Sequence, residues 1–180
     1  MQRVRAPWAV SPRLARRRLL RGFRLLLLAA VVLVAVGVPD RLLAWPLLTA
    51  TVGPTAYQLL AHPEEKAARF EVALVGHLTA VAIALATIAA FGLWHEPSAA
   101  RLGHVTGRQV AATAVAVGLT LLALELFDAH HAPAAATSVL IATGLAHPGR
   151  PLVGLLIGLA IVLVLAPLLT AVVPRPPEVR

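Results

Sequence analysis

Two stretches interrupt an otherwise apolar sequence with residue types that could bind a small anion or move a proton. The first, residues 51–58, contains Gly53-Pro54, and the second, residues 130–137, contains two histidines and Pro133. Proline lacks a backbone N–H and clashes with the preceding helical turn, and histidine is costly in hydrocarbon unless it faces protein or water. Both stretches are therefore expected to be breaks in membrane helices that lie away from lipid.

Each break is predicted to start a half-length helix, near Thr55 in one case and near Thr137 in the other. A helix N-terminus has unpaired N–H groups and a partial positive charge, so two such ends could converge on one anion, as discontinuous helices do in transporters. The alternative interpretation is that Gly53-Pro54 and Pro133 are packing kinks between closely apposed helices. The residues predicted to contact the anion are Gly53, Pro54, Thr55, Gly76, His77, His130, His131, Pro133 and Thr137.

Proton coupling is predicted for Glu125 and His131. Glu125 is the only acid well inside an apolar run, and it lies three residues before Asp128, so both could face His130 or His131. The alternative is a solvated interfacial carboxylate. Adjacent histidines in a helix point about 100° apart, no two histidines are spaced i, i+4, and there is no cysteine. No metal, cofactor or catalytic residue is predicted, and the chain is not expected to be an enzyme.

The composition predicts an all-α, polytopic helical membrane bundle. Of the 180 residues, 59% are hydrophobic and 13% are charged, against about 25% charged in soluble domains. The formal net charge of +8 comes largely from eight arginines within residues 1–24. Such a cluster is typical of a cytoplasmic topology signal, and nucleic-acid binding is not predicted.

The predicted organisation is a basic cytoplasmic arm (1–24), a single transmembrane domain (25–173) and a short tail (174–180). Four full transmembrane helices and two broken or half-length segments are expected. The predicted spans are 25–38, 72–93, 109–127 and 152–173, with a tight turn at 39–41 and half-length helices at 56–61 and 138–146.

The transmembrane domain is predicted to be a twofold internal repeat, with halves at about 25–93 and 109–173. Gly53-Pro54-Thr55-Ala56 aligns with residues 135–138, and Gly76 aligns with Gly158. If the broken segments are re-entrant there are four crossings, and if they cross there are six and the halves are inverted. Arg and Lys counts favour both arrangements equally, with both termini in the cytoplasm of a bacterial inner membrane.

The motifs in this chain resemble those of the HPP family of integral membrane proteins. They are residues 53–60, Pro63, residues 75–78 and the run His130-His131-Ala132-Pro133-Ala134-Ala135-Ala136-Thr137. Ala132 replaces the first proline of the family's His-Pro-Pro motif, and Pro54 stands where the family often has a small residue. The resemblance implies four membrane-spanning helices and transport, with nitrite as the substrate associated with plastid and cyanobacterial relatives.

The expected partners are thus the lipid bilayer and a small inorganic anion, and a homo-oligomer is left open. The competing hypothesis is a non-transporting membrane scaffold or accessory subunit.

Overall fold

The structure is a computed structural model that describes residues 12–173. Residues 1–11 of the basic arm and the 174–180 tail lie outside the described residues. Within residues 12–173 the fold is entirely helical, which confirms the predicted all-α bundle. The α-helices are α1 (Pro12–Leu43), α2 (Val52–Ala61), α3 (Phe70–Ala90), α4 (Ala99–Leu102), α5 (Gly107–Leu126), α6 (Pro133–Ala142) and α7 (Arg150–Val172), and a 3-10 turn covers Lys66–Ala68. Of these, α1, α3, α5 and α7 are long and apolar enough to span a membrane.

Helix α1 is longer at both ends than the sequence predicted. The turn expected at 39–41 is wrong, because the helix runs through Pro39 to Leu43, and residues 12–24 of the predicted arm are already helical. A proline in the last turn removes one hydrogen bond, which costs a membrane helix less than exposing a free backbone segment to lipid. Asp40, which was predicted to lie in that turn, is helical, and its carboxylate accepts a hydrogen bond from the Leu48 N–H at 2.8 Å.

The first break lies at residues 44–51, upstream of Gly53-Pro54. Ala44 ends α1 in the left-handed conformation (φ 51°), and three-residue turns follow, with the Leu47 N–H donating to the Trp45 carbonyl at 2.9 Å. Helix α2 therefore begins at Val52, and the predicted start at residue 56 is wrong. Pro54 is tolerated in the first turn because the N–H it lacks would have no partner within the helix there.

The second break has the same local features. Asp128 is left-handed (φ 51°), the His131 N–H donates to the Ala129 carbonyl at 2.7 Å, and a ten-residue helix follows. The half-length helix predicted at 138–146 is displaced, since α6 occupies Pro133–Ala142 with Pro133 in its first turn. Both broken segments are thus a left-handed helix end, a three-residue turn and a ten-residue helix.

Glycines bring the second long helix of each half, α3 or α7, against the break of the other half. A Cβ built on Gly158 of α7 would lie 2.3 Å from the Leu47 oxygen, and one on Gly154 would lie 2.8 Å from the Pro46 oxygen. In α3, a Cβ on Gly76 would lie 3.1 Å from the His131 Cβ. Only glycine permits backbone approach this close, so α7 covers carbonyl groups that the first break leaves outside a helix.

The same pairs of helices are in contact when each helix is replaced by its counterpart in the other half, α1 by α5, α2 by α6 and α3 by α7. Helix α2 packs on α1 and α7, as α6 packs on α5 and α3, and the α1–α7 contact corresponds to the α5–α3 contact. Each short helix therefore packs on the second long helix of the opposite half, α2 on α7 and α6 on α3. This is the contact pattern expected of the predicted internal repeat.

Each broken segment runs from one end of the bundle to the other. His131, ahead of α6, bonds the Ala67 carbonyl before α3 begins, and the Thr143 carbonyl, after α6, accepts from the Ala99 N–H beyond the end of α3 at 3.0 Å. We call these the Ala67 end and the Ser98 end of the bundle.

The first half repeats this course in the opposite direction. Helix α1 lies antiparallel to α7, because the Arg24 Nη2 donates to the Val173 carbonyl at 3.0 Å while Pro46, just past the end of α1, lies on Gly154 near the start of α7. Residues 44–61 then return to the Ala67 end. Of the two arrangements left open by the charge count, the bundle matches the one with six passes.

Candidate functional site

The two breaks meet inside the bundle. The Thr51 hydroxyl, at the start of α2, donates to the Pro133 carbonyl in the first turn of α6 at 3.1 Å. The hydroxyl oxygens of Thr51 and Thr137 are 3.3 Å apart. Thr51, Thr55 and Thr137 are fully buried. The convergence predicted for the two helix starts is therefore present, although Thr55 and Thr137 lie within the helices rather than at their first residues.

His77 of α3 lies at the centre of these hydroxyl groups. Its Nδ1 is 2.9 Å from the Thr137 Oγ1, and its Nε2 is 3.1 Å from the Thr55 Oγ1. The two threonines, one from each short helix, thus contact opposite nitrogens of one imidazole. The predicted sequence alignment of Gly53-Pro54-Thr55 with residues 135–137 pairs these same two threonines.

His131 connects His77 to the end of the bundle. Its Nε2 is 3.2 Å from the His77 Nε2, and its Nδ1 is 2.8 Å from the Ala67 carbonyl oxygen. The two rings stand edge-to-face, with centroids 4.9 Å apart. His131 is fully buried, so its polar atoms depend on these two partners.

Fixed acceptors determine where the protons lie in this network. The Ala67 carbonyl can only accept, so the His131 Nδ1 carries a hydrogen and a neutral His131 has a bare Nε2. That nitrogen accepts from the His77 Nε2–H. The His77 Nδ1 is then bare and accepts from the Thr137 hydroxyl. With both rings neutral, one unbroken series of donors runs from Thr137 through the histidines to Ala67.

The remaining predicted anion contacts divide into packing residues and outer residues. Gly76 lies beneath His131 and allows α3 to approach it, with a built Cβ 3.4 Å from the Ala134 Cβ. Pro133 contributes its carbonyl oxygen. Gly53 and Pro54 are exposed on the outer face of α2, and a Cβ on Gly53 would meet nothing within 4 Å. The structure does not bring Gly53 or Pro54 into the cluster.

Glu125 and His130 lie in a separate, exposed group at the Ala67 end. The His130 Nδ1 is 3.4 Å from the Glu125 carboxylate, and its Nε2 is 3.3 Å from that of Asp128. Asp128 also pairs with Lys66. The hydrogen bond and the positive charge of Lys66, with a smaller contribution from His130, lower the pKa of Asp128. Glu125 thus pairs with His130 and not with His131, because adjacent residues of the loop point to opposite sides, one into solvent and one into the bundle.

Two members of the cluster were not among the predicted site residues. Thr51 lies four residues before Thr55, a spacing that places both on one helical face, and the Thr55 hydroxyl in fact donates to the Thr51 carbonyl at 2.8 Å. That spacing is a signal the sequence offered. The Ala67 carbonyl had no sequence signal, because any residue type supplies the same backbone oxygen.

The cluster suits a small anion better than a metal ion. Within residues 12–173, no group of three or more His, Cys, Asp or Glu side chains could hold a metal. The two histidines alone do not make a metal site, because zinc sites take three or four protein ligands of the His, Cys or carboxylate type. Hydroxyl groups and helix N-termini can instead donate to negative charge.

Comparison with known proteins identifies the family. The sequence profile described as "HPP, transmembrane region" matches residues 13–177. No curated protein and no solved structure matches the chain. The profile covers the four helices that are long enough to span a membrane and both halves of the cluster. The chain therefore belongs to the HPP family of membrane proteins.

Proposed function

We propose that this chain transports a small inorganic anion, nitrite by family resemblance, across a bacterial inner membrane, with both termini in the cytoplasm. No chemical reaction is assigned to it. The observation that carries the proposal is the meeting of the α2 and α6 N-termini at a buried group of threonine hydroxyls. Anions are stabilised at such ends by the helix dipole. The donors here are the hydroxyl groups, because the N–H groups of Ala134 and Ala135 in α6 already bond the His131 and Ala132 carbonyls.

The directions of the two short helices add to this effect. From the cluster, α2 runs to the Ala67 end while α6 runs to the Ser98 end, so the positive ends of both helices face the same point. Neither helix has a side-chain cap. Because hydroxyl groups rotate, Thr51 and Thr137 can turn from their present acceptors towards an anion.

The exchange symmetry of the helix contacts supports a transporter in particular. We infer that the two halves are an inverted repeat, since each makes three passes through the bundle. Inverted repeats allow alternating access, with the binding site near the midplane between the halves. His77 lies seven residues into α3, well inside the bundle, and only 3% of its surface is exposed.

One observation favours the competing function of a scaffold or accessory subunit. The polar atoms of His77, His131 and Thr137 are all paired with one another or with backbone. A network of this kind can fix the packing of helices without binding any ligand. A flux measurement separates the two functions.

The test uses the full chain in proteoliposomes, with uptake of nitrite, nitrate and formate compared with that of protein-free vesicles. We expect uptake of at least one anion, and a loss in Thr137→Val and His131→Ala. Matched controls are Thr120→Val, a buried hydroxyl bonded to Ser138 at 2.7 Å outside the cluster, and His130→Ala at the surface. Equal flux in all four variants refutes the site, and no flux of any anion favours the scaffold.

A further inference from the structure

The two buried histidines form a continuous path between the proposed anion site and one end of the bundle. The His77 Nδ1 faces the Thr137 hydroxyl, the two Nε2 atoms face each other at 3.2 Å, and the His131 Nδ1 faces the Ala67 carbonyl. Ala67 belongs to the 3-10 turn that joins α2 to α3 at the Ala67 end. Every link is therefore within hydrogen-bond distance.

The pair has room for one additional proton. In the neutral network the only bare ring nitrogen without a neighbouring ring hydrogen is the His77 Nδ1, which accepts from Thr137. If the Thr137 hydroxyl turns away, this nitrogen can bind a proton, and His77 becomes an imidazolium that still donates from Nε2 to His131. A second added proton would place two Nε2–H groups against each other, which repel.

The proton can then cross the pair with every hydrogen accounted for. The Nε2–H bond of His77 breaks as the same hydrogen bonds to the Nε2 of His131. His131 becomes the imidazolium, and His77 is neutral with its hydrogen on Nδ1. A water molecule that enters from the Ala67 end takes the Nδ1 hydrogen of His131 as a hydronium ion, which leaves both rings neutral. Return of one ring hydrogen from His131 to His77 across the Nε2 contact, loss of the Nδ1 hydrogen of His77 to the anion site and uptake of one hydrogen at the His131 Nδ1 from water restore the starting arrangement.

The charge of an imidazolium here has no opposite charge in contact with it. In the described part of the chain, the groups that face the two rings are neutral: Thr51 and Thr55 from α2, Gly76 from α3, Leu124 from α5, Thr137 from α6 and the Ala67 carbonyl. The charged groups next to Ala67 and His131 in the sequence or paired with them, Lys66, Asp128, Glu125 and His130, are exposed and paired among themselves. A buried charge without a partner is strongly unfavourable.

We propose that His77 and His131 together bind one proton for each anion, so that the transporter moves a proton and a monovalent anion together without net charge. This inference rests on the proposed function. The anion among the threonines supplies the missing opposite charge, and by linkage each of the two ions favours binding of the other. Glu125 has no part in this coupling.

The experiment measures nitrite uptake and internal pH together, in proteoliposomes that contain a trapped pH-sensitive dye, with protein-free vesicles subtracted. A membrane potential is imposed with valinomycin and a potassium gradient. We expect about one proton per nitrite and an uptake rate that does not change with potential. His77→Gln and His131→Gln should reduce nitrite-driven acidification at least about tenfold. His130→Gln should behave as the unmodified chain.

The outcomes separate this inference from the proposed function. Nitrite uptake that follows the membrane potential without acidification overturns the inference and leaves anion transport intact. Full acidification in both His77→Gln and His131→Gln overturns it as well. No uptake above protein-free vesicles overturns transport and the inference together. If His77→Gln does not fold, His131→Gln decides the outcome, because it keeps the ring of His77 next to the threonines.

Discussion

The close approach of α7 to the first break makes a sharp stability prediction for Gly158→Ala. The added Cβ would lie 2.3 Å from the Leu47 oxygen and 3.1 Å from the Leu47 carbonyl carbon, where ordinary contact begins at 3.4 Å. Both atoms are backbone, so no side chain can rotate away, and α7 or the break must move by about 1 Å to restore normal packing distance. Overpacking of this kind costs about 1–3 kcal/mol, which corresponds to an apparent Tm lower by about 2–12 °C.

The same substitution at two other glycines provides the comparison. Gly76→Ala brings a Cβ to 3.1 Å from a side-chain Cβ, and should cost less because the His131 ring can shift slightly. Gly118 of α5 has nothing within 4 Å of its Cβ position, so Gly118→Ala should stabilise the helix by about 0.5–1 kcal/mol. The assay is thermal unfolding of the three purified variants in one detergent. Equal Tm values for Gly158→Ala and Gly118→Ala would refute the packing argument.

Three further predictions concern the histidines, the exposed ion pair and the passes of the chain. His131→Gln should lower stability by about 1–3 kcal/mol, because a buried carbonyl or the other imidazole loses its partner, and chemical unfolding in detergent measures this. The pKa of Asp128 is lowered in the folded chain, so the pairing of Asp128 with Lys66 stabilises the fold above the ordinary carboxyl pKa. This stabilisation is lost as the pH falls and Asp128 is protonated. Lys66→Met should therefore flatten the acid side of the Tm-versus-pH curve, and an unchanged curve contradicts the pairing. The chain has no cysteine, so Glu65→Cys and Ala100→Cys can be labelled singly with a membrane-impermeant thiol reagent. Six passes predict that position 65 reacts from the side of the termini and position 100 from the opposite side, and four crossings predict the reverse.

The sequence predicted the helical bundle and the two breaks because hydropathy and proline act locally. Runs of apolar residues of sufficient length have few alternatives to helix in lipid. The boundaries were wrong where distant contacts decide them. The first break begins at Ala44 rather than at Gly53. Pro46 is a local signal for it, because a proline often lies one or two residues past a helix end. The contact of Gly154 and Gly158 of α7 with residues 46 and 47 has no local signal.

The site was predicted in its residue types more than in its geometry. Thr55, His77, His131 and Thr137 do meet, and the predicted repeat had already paired the two threonines. What the sequence could not provide was the direction of each side chain at the end of α5. His131 points into the bundle while His130 points out to Glu125, a difference set by backbone turns that hydropathy does not record.

The cover that α7 gives to the first break also constrains how the protein is made. Until α7 has been synthesised and inserted, the carbonyl groups of Pro46 and Leu47 have no glycine surface to cover them, and α2 lacks one of the two long helices on which it packs. A nascent chain that ends before residue 150 would thus expose open backbone to lipid. Assembly must be completed from the C-terminal side, and a nonsense mutation late in the reading frame should be as damaging as an early one.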